Sequence, residues 1–456
     1  MRANRELCVK NEVALMPTRL IGRWRLMVVM ALMAATLAAC GAPSIVLKNS
    51  TPGASTDGTE VAPDIGCGNC SVYTPQQMRA AYGVTSLYDS GKRGQGQTVV
   101  LIESYGSPTL KHDLDVFDQQ FNLPTPNLQI INPIGTVPFD SANTEMQGWQ
   151  AETSLDVEIV HAIAPEASIV VLTSPVDETE GVQGLPQFLQ LEQYAVDHHL
   201  GNVVSQSWAA SEVSLNDTAG QAELAQWETF YQQATTQNHI TFFGSSGDNG
   251  ATDYVSFVNG NPGPLSSTAT TSFPDDSPWV TAVGGTTLSQ DGSSYTEVVW
   301  NNGNGASGGG VSRFFAMPAF QQGLPQSDQQ ILNGKRGVPD VAAAADPSTG
   351  LAIYYGGHWT LAGGTSAASP LWAGVMAIAD QVAGKPLGYI NPSLYKIGAS
   401  SSYSSAFRDV TDGNNSVSGQ VDVQGYQATT GWDPTTGLGT PNAANLIPLL
   451  IQNSQG

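Results

Sequence analysis

Between Asp113 and Ser312 the chain contains no lysine or arginine, while 24 acids fall in that stretch. Over all 456 residues, 39 acids face 17 bases for a formal charge of −22. Such a surface repels phosphate backbones, which excludes nucleic acid as an expected partner. Cysteine is nearly as scarce: there are four, and two of them, Cys8 and Cys40, fall in the first forty residues. A disulfide-framed scaffold is therefore excluded. No apolar run is long enough for a confident membrane span. With 49 Gly and 27 Pro the chain cannot be a coiled coil or a helical bundle, and 41% hydrophobic content excludes a mainly disordered chain.

Basic residues concentrate at the amino end, where residues 1–39 hold six and leave only 11 for the rest, against 37 acids. Two habitats fit such a body: high salt, or low pH, where protonation removes the negative charge and few bases remain to repel one another. The acid habitat is the expectation, because of the carboxyl groups described below.

Residues 1–39 read as a signal peptide of lipoprotein type. Arg19, Arg23 and Arg25 precede the apolar run Leu26 to Ala39, which ends in Leu37-Ala38-Ala39-Cys40-Gly41. Small residues before a cysteine resemble a bacterial lipobox, so a lipid on Cys40 at the cell surface is expected; an ordinary secretory signal is the alternative. Residues 1–15 fit no part of a signal, and Met16 is the expected start. Residues 40–72, rich in Ser, Thr, Gly and Pro, read as a flexible tether. Cys67-Gly-Asn-Cys70 reads as a small local disulfide formed after export.

From residue 73 to 456 the pattern is that of one large α/β domain. Strand-length apolar runs occur at 97–102, 167–173, 202–205, 239–243 and 279–283, and helical spacing at 110–121, 149–163, 186–197 and 222–236. Alternation of this kind predicts a mostly parallel central sheet with helices on both faces.

Three segments carry chemistry. Gly363-Gly-Thr-Ser366-Ala-Ala-Ser-Pro370 leads into an apolar helix, and Ser366 near its amino end is placed where backbone N–H groups favour an anion. A plain capping serine is the alternative. None of the six histidines lies in the His-Gly-Thr-His type of sequence that a subtilisin would show, and the strand ending Glu103-Ser104-Tyr105-Gly106 lacks the aspartate that subtilisins place there. A different base is visible. Glu152 and Asp156 lie one turn apart on a helix, with Ile159 and Ile163 on the same stripe, so the two carboxyls point inward. Such a pair shares a proton and titrates as a unit. Finally, Asp248 in Gly244-Ser-Ser-Gly-Asp-Asn-Gly250 follows a buried strand. It is either a turn former or, when protonated, a donor to an oxyanion.

Taken in order, YTPQQMRAAYG (73–83), GWQAETSLDVEIVHAIAPEA (148–167), NVVSQSW (202–208), GSSGDNGA (244–251), FPDDSPWVTAVGGT (273–286), GGGVSRFF (308–315), VPDVAAAADP (338–347) and GGTSAASPLWAG (363–374) resemble the sedolisin family of serine-carboxyl peptidases. The resemblance implies a subtilisin-like fold over 73–456, with Ser366 as nucleophile, Glu152 as base, Asp156 as its partner and Asp248 as oxyanion acid. It also implies one structural Ca²⁺, held by the carboxylates of Asp409 and Asp433 and the carbonyls of Val410, Thr429 and Gly431. The expected activity is an exported, acid-acting serine-type endopeptidase, monomeric and acting on peptide or protein substrates. A tripeptidyl-type exopeptidase and a non-catalytic surface-binding lipoprotein remain the alternatives.

Overall fold

The computed structural model describes residues 60–258 and 261–454, together with the backbone of Val46–Leu47. The predicted signal segment, Met16, Cys40 and most of the tether lie outside the described residues. Among the described residues no helix is long and apolar enough to cross a membrane.

The chain alternates strands and helices: β1 (Thr98–Ser104), α1 (Leu110–Phe121), β2 (Leu128–Ile131), α2 (Thr144–Ile163), β3 (Ser168–Ser174), α3 (Leu185–Asp197), β4 (Val203–Gln206), α4 (Thr218–Gln237) and β5 (Thr241–Ser245). There follow β6 (Val280–Asp291), β7 (Ser294–Val299), β8 (Val341–Ala344) and α5 (Thr365–Ala383). The sheet runs β7-β6-β5-β4-β1-β3-β2, with β8 also pairing with β6. Every pairing is parallel except β6 with β7. The expected mostly parallel sheet is thus present, with one antiparallel edge. The fifth expected strand is longer than its apolar core at 279–283, because Thr286–Asp291 continues into a hairpin with β7.

Alternate side chains of β1 feed two cores. Val99 and Leu101 pack with Leu155 and Ile159 of α2 and Ala368 and Leu371 of α5. Val100 and Ile102 pack with Leu185 and Phe188 of α3 and Leu224 and Trp227 of α4. A period of two with both faces apolar is what helices on each side of a parallel sheet require.

The tether expected over 40–72 ends sooner. Glu60 pairs with Arg79 at 2.9 Å, Ile65 is buried in the first core, and Ser71–Tyr73 forms a parallel strand with Thr349–Leu351. Val46–Leu47 pairs with Thr360–Leu361. The Ser/Thr/Gly/Pro composition hid these contacts, since apolar anchors such as Ile65 are single residues there. Cys67 and Cys70 are joined in a disulfide.

Candidate active site

Three adjacent strands end at one place. β1 and β4 are neighbours although β2 and β3 lie between them in sequence, so the order of strands reverses at β1, and crevices at such points lie beyond the carboxyl ends of the strands. Glu103 is the penultimate residue of β1, Ser207 directly follows β4, and Asp248 follows β5 by three residues. The amino end of α5 closes the same place. Its cap is Gly364 at φ +96°, and Ser366 is the second residue of the helix, buried. Ser366 is therefore not the cap that the alternative reading made it.

Asp248 is held against that helix end. Its Oδ1 accepts hydrogen bonds from the Thr365 backbone N–H at 2.8 Å and the Thr365 hydroxyl at 3.0 Å, and the Gly247 N–H donates to the same hydroxyl. A Cβ on Gly364 would lie 2.4 Å from Asp248 Oδ2, so only glycine permits this approach, at a φ that also favours it. Burial raises the Asp248 carboxyl to about 6, opposed by the two bonds from Thr365.

The carboxyl pair comes from α2. Asn143 caps it, its side chain accepting from the N–H groups of Glu145 at 2.8 Å and Met146 at 3.1 Å. The expected single inward stripe is instead a whole buried helix: every residue from Gly148 to Ile163 is inside. The physical reason is that α2 is covered on more than one side, by α5, α1 and β1. Its hydroxyls turn back on its own backbone, Thr153 to Trp149 and Ser154 to Gln150.

Glu152 and Asp156 are joined by a third acid. Burial comes first in raising all three of Glu103, Glu152 and Asp156. A bond between Glu103 and Asp156 lifts Glu103 further and favours the charged form of Asp156, which marks Glu103 as the proton-bearing partner. Ser207 Oγ donates to Asp156 at 2.8 Å, while both carboxyl oxygens of Glu152 are buried without a hydrogen-bond partner and the nearby Ser366 hydroxyl favours the ionised form of that carboxyl. Negative charge on Asp156 is in turn the main Coulombic obstacle to ionising Glu152. The cluster thus holds protons in acid and favours Asp156 as its charged member.

All four expected catalytic residues, Glu152, Asp156, Asp248 and Ser366, meet here. Glu103, Ser207 and Thr365 were not singled out from the sequence as site residues. A carboxyl directly after the apolar run Val99–Ile102 of β1 was the available signal for Glu103; nothing local marks Ser207.

The expected Ca²⁺ set lies elsewhere. The Gly431 N–H donates to Asp409 Oδ2 at 3.0 Å and the Thr429 N–H to Asp433 Oδ2 at 3.0 Å, so one loop gathers both carboxylates. An all-oxygen set of this kind suits a hard cation, and Asp433, raised by burial to about 6, has no cation beside it among the described groups that shift it. Only two carboxylates take part. Among the described residues no group of three or more His, Cys, Asp or Glu side chains is arranged to hold a metal.

No family model matches the chain. It is similar to kumamolisin from Bacillus sp. (strain MN-32), 33% identical over 391 residues that cover 84% of this chain and 64% of kumamolisin. Tripeptidyl-peptidase 1 from Dictyostelium discoideum is 30% identical over 396 residues, covering 83% of this chain and 58% of that protein. The chain thus spans less than two thirds of the length of these curated relatives. The solved structure of Pseudomonas sedolisin, described as a serine-carboxyl proteinase complexed with two molecules of pseudo-iodotyrostatin, superposes with a TM-score of 0.70 at 30% identity, covering 85% of this chain and 100% of that one. Matched along the full length of that structure, the chain belongs to the sedolisin family.

Proposed function

We propose that this protein is an acid-acting serine-type endopeptidase that cleaves peptide bonds through an acyl-enzyme on Ser366. The convergence of Ser366, the buried Glu152–Asp156 pair and Asp248 from three distant segments is the observation that supports it. Ser366 Oγ attacks the peptide carbonyl carbon while its proton passes to Glu152. Asp156, its charged form favoured by Ser207 and Glu103, raises the proton affinity of Glu152, so that carboxyl, once ionised, is a stronger base for the Ser366 proton. The oxyanion receives hydrogen bonds from protonated Asp248 and from the Ser366 N–H at the helix end. Glu152 returns the proton to the leaving amine, and water then attacks the acyl ester by the same route. A tripeptidyl exopeptidase is the second reading, favoured by the likeness to a protein named tripeptidyl-peptidase 1.

The test is digestion of a denatured protein in acid, with fragments read by mass spectrometry. Internal cuts made by wild type and lost in Ser366→Ala support the endopeptidase; sequential release of tripeptides supports the exopeptidase; no cleavage by a folded protein refutes both.

Asp409, Asp433 and the carbonyls of Val410, Thr429 and Gly431 would hold one Ca²⁺, which when bound neutralises the paired carboxylates and stiffens the carboxyl-terminal loop. Export, a lipid anchor on Cys40 and a monomeric state belong to the same proposal. The lipobox-like Leu37-Ala-Ala-Cys40 supports the anchor.

A further inference from the structure

Two chain segments leave the neighbourhood of Ser366 and are joined again at Glu212. One runs from Ser207, whose hydroxyl lies 3.3 Å from the Ser366 carbonyl oxygen, through the short strand Ala210–Ser211 to Glu212. The other starts beside Asp248, where the Gly308 N–H donates to the Gly247 carbonyl at 2.7 Å and the Ser246 hydroxyl to the Gly308 carbonyl at 2.9 Å. From Gly308 the chain enters the strand Gly310–Ala316, which pairs with Lys335–Val338 but loses register between Val311 and Ala316. Glu212 fills that gap. Its Oε1 accepts from the Ser312 hydroxyl at 2.5 Å and the Phe314 N–H at 3.2 Å, and its Oε2 from the Arg313 N–H at 2.7 Å. Both oxygens act as acceptors, the arrangement that suits a carboxylate. A ring of contacts thus closes from Ser366 through Ser207, Glu212, Gly308 and Gly247 to Asp248 and Thr365.

What faces Glu212 makes this tie sensitive to protons. Asp275 and Asp276 follow the strand Ser272–Phe273, which pairs with Ala210–Ser211, and all three acids are fully buried. Neither oxygen of Asp275 nor Oδ1 of Asp276 has a hydrogen-bond partner, and Asp276 Oδ2 accepts from the Thr271 hydroxyl at 3.3 Å. Burial, and then the Glu212 carboxylate, raise Asp276 well above the ordinary carboxyl range, with Asp275 and Glu228 of α4 adding to the repulsion. Burial also raises Asp275, opposed by the Arg336 guanidinium and helped by Glu212 and Asp253. Arg336 is already paired with Asp340, whose two oxygens it holds at 2.8 Å and 2.5 Å. A charge on Asp276 would therefore stand in the interior beside a carboxylate, with no cation of its own. The proton on Asp276 is what lets Glu212 keep its charge, and with it the grip on residues 312–314.

We propose that Glu212 is a positioning residue that ties together the two segments flanking Ser366, and that Asp276 is the proton-operated part of the tie: in acid the strand Gly310–Ala316 is held at Glu212, and as pH rises Asp276 ionises, repels Glu212 and frees residues 312–314. The tie stands without the peptidase reading; its effect on cleavage rests on that reading. Glu212 acts through the backbone at Ser207 and Gly308, not on the reacting atoms.

The experiment follows hydrogen exchange of the Arg313 and Phe314 amides in the full chain carrying Ser366→Ala, by mass spectrometry with electron-transfer fragmentation, from about pH 4 to about pH 7. Rates are divided by the intrinsic rate at each pH, and the amides of α2 report on the fold as a whole. Protection of both amides should fall about tenfold or more across this range while α2 stays protected. In the same background, Asp276→Asn should carry the protection about one pH unit or further towards neutral. Glu212→Gln, which keeps one acceptor oxygen and loses the other, should lower it about tenfold already in acid. Protection that does not change with pH, or that is lost together with α2, overturns the tie. So does a midpoint unmoved in Asp276→Asn, or protection unchanged in Glu212→Gln. Should either variant fail to fold, the pH series of Ser366→Ala decides alone. Amides that behave as expected in a protein whose wild type cuts no peptide keep the tie and reject the peptidase; cleavage with amides indifferent to pH does the reverse.

Discussion

Pro370 and Ser207 meet at one carbonyl. Pro370 lies inside α5 and has no N–H, so it cannot make the helical bond to the carbonyl oxygen of Ser366, four residues earlier. Ser207 Oγ lies 3.3 Å from that oxygen and 2.8 Å from Asp156 Oδ2. A residue that ordinarily weakens a helix interior thereby frees an acceptor beside the nucleophile. One hydroxyl, with a single proton to give, links the backbone of Ser366 to the acid that steadies Glu152.

Ser207→Ala should therefore fold normally and lose activity without losing the nucleophile. Removing a donor from Asp156 disfavours its charged form, so Asp156 titrates higher and the acid limb of the pH–activity profile moves to higher pH. We expect kcat/KM to fall about tenfold or more, with the larger loss at the acid end. Ser207→Thr, which keeps the hydroxyl, should recover part of it. An unshifted profile in the alanine variant would show that the hydroxyl only fills space.

Activity should also fail as pH rises through about 6. Asp248 donates to an oxyanion only while protonated, and its carboxyl is held at about 6 by burial. The protonated fraction falls tenfold per pH unit above that value. The opposite limb belongs to the Glu152–Asp156 pair, which cannot accept a proton when both members are already protonated. A kcat/KM profile at low and high salt checks this. An optimum at or above pH 7, or one that needs molar salt, would falsify the role of Asp248 and favour the high-salt reading of the composition.

Fold stability should decline from acid towards neutral pH, the reverse of common acid denaturation. Burial raises Glu228 from 4.5 to about 7 and Asp380 from 3.8 to about 7, as it raises Asp248 to about 6. A carboxyl raised in the folded state keeps its proton where the unfolded chain has lost it. Its contribution is full below the unfolded pKa and is lost progressively as pH rises through the folded pKa. The window therefore runs from about 4 to about 7. Thermal melts of Ser366→Ala, which cannot digest itself, measure the effect; a melting temperature that climbs between those limits would contradict it.

Chelation should lower the melting temperature if Asp409 and Asp433 hold Ca²⁺, because a ligand that binds only the native state stabilises it by mass action. Asp433→Asn should abolish the chelator's effect. Elemental analysis that finds no calcium, together with identical melts in chelator and in calcium, would remove the site.

Much of this was legible along the chain, because the signals are local. Apolar runs of strand length and helical spacing depend on neighbours in sequence, so the strands and helices around residues 97 to 283 stand near where periodicity puts them. The ordered motifs around Glu152, Asp248 and Ser366 likewise announce a serine with carboxyl partners. Distance decided the rest. Glu103 joins Asp156 across more than fifty residues, and the hydroxyl of Ser207 reaches the Ser366 carbonyl across 159. No periodicity records such meetings, since they arise from parallel strands ending side by side where their order reverses. Composition made residues 60–72 look like free linker, yet one buried Ile65, the Glu60–Arg79 pair and a three-residue strand bind them to the domain. The sequence also shows 24 acids without a base between Asp113 and Ser312. Only the fold decided which of them lie in water and which, like Asp276, are carried inside, because burial depends on what the rest of the chain packs against them.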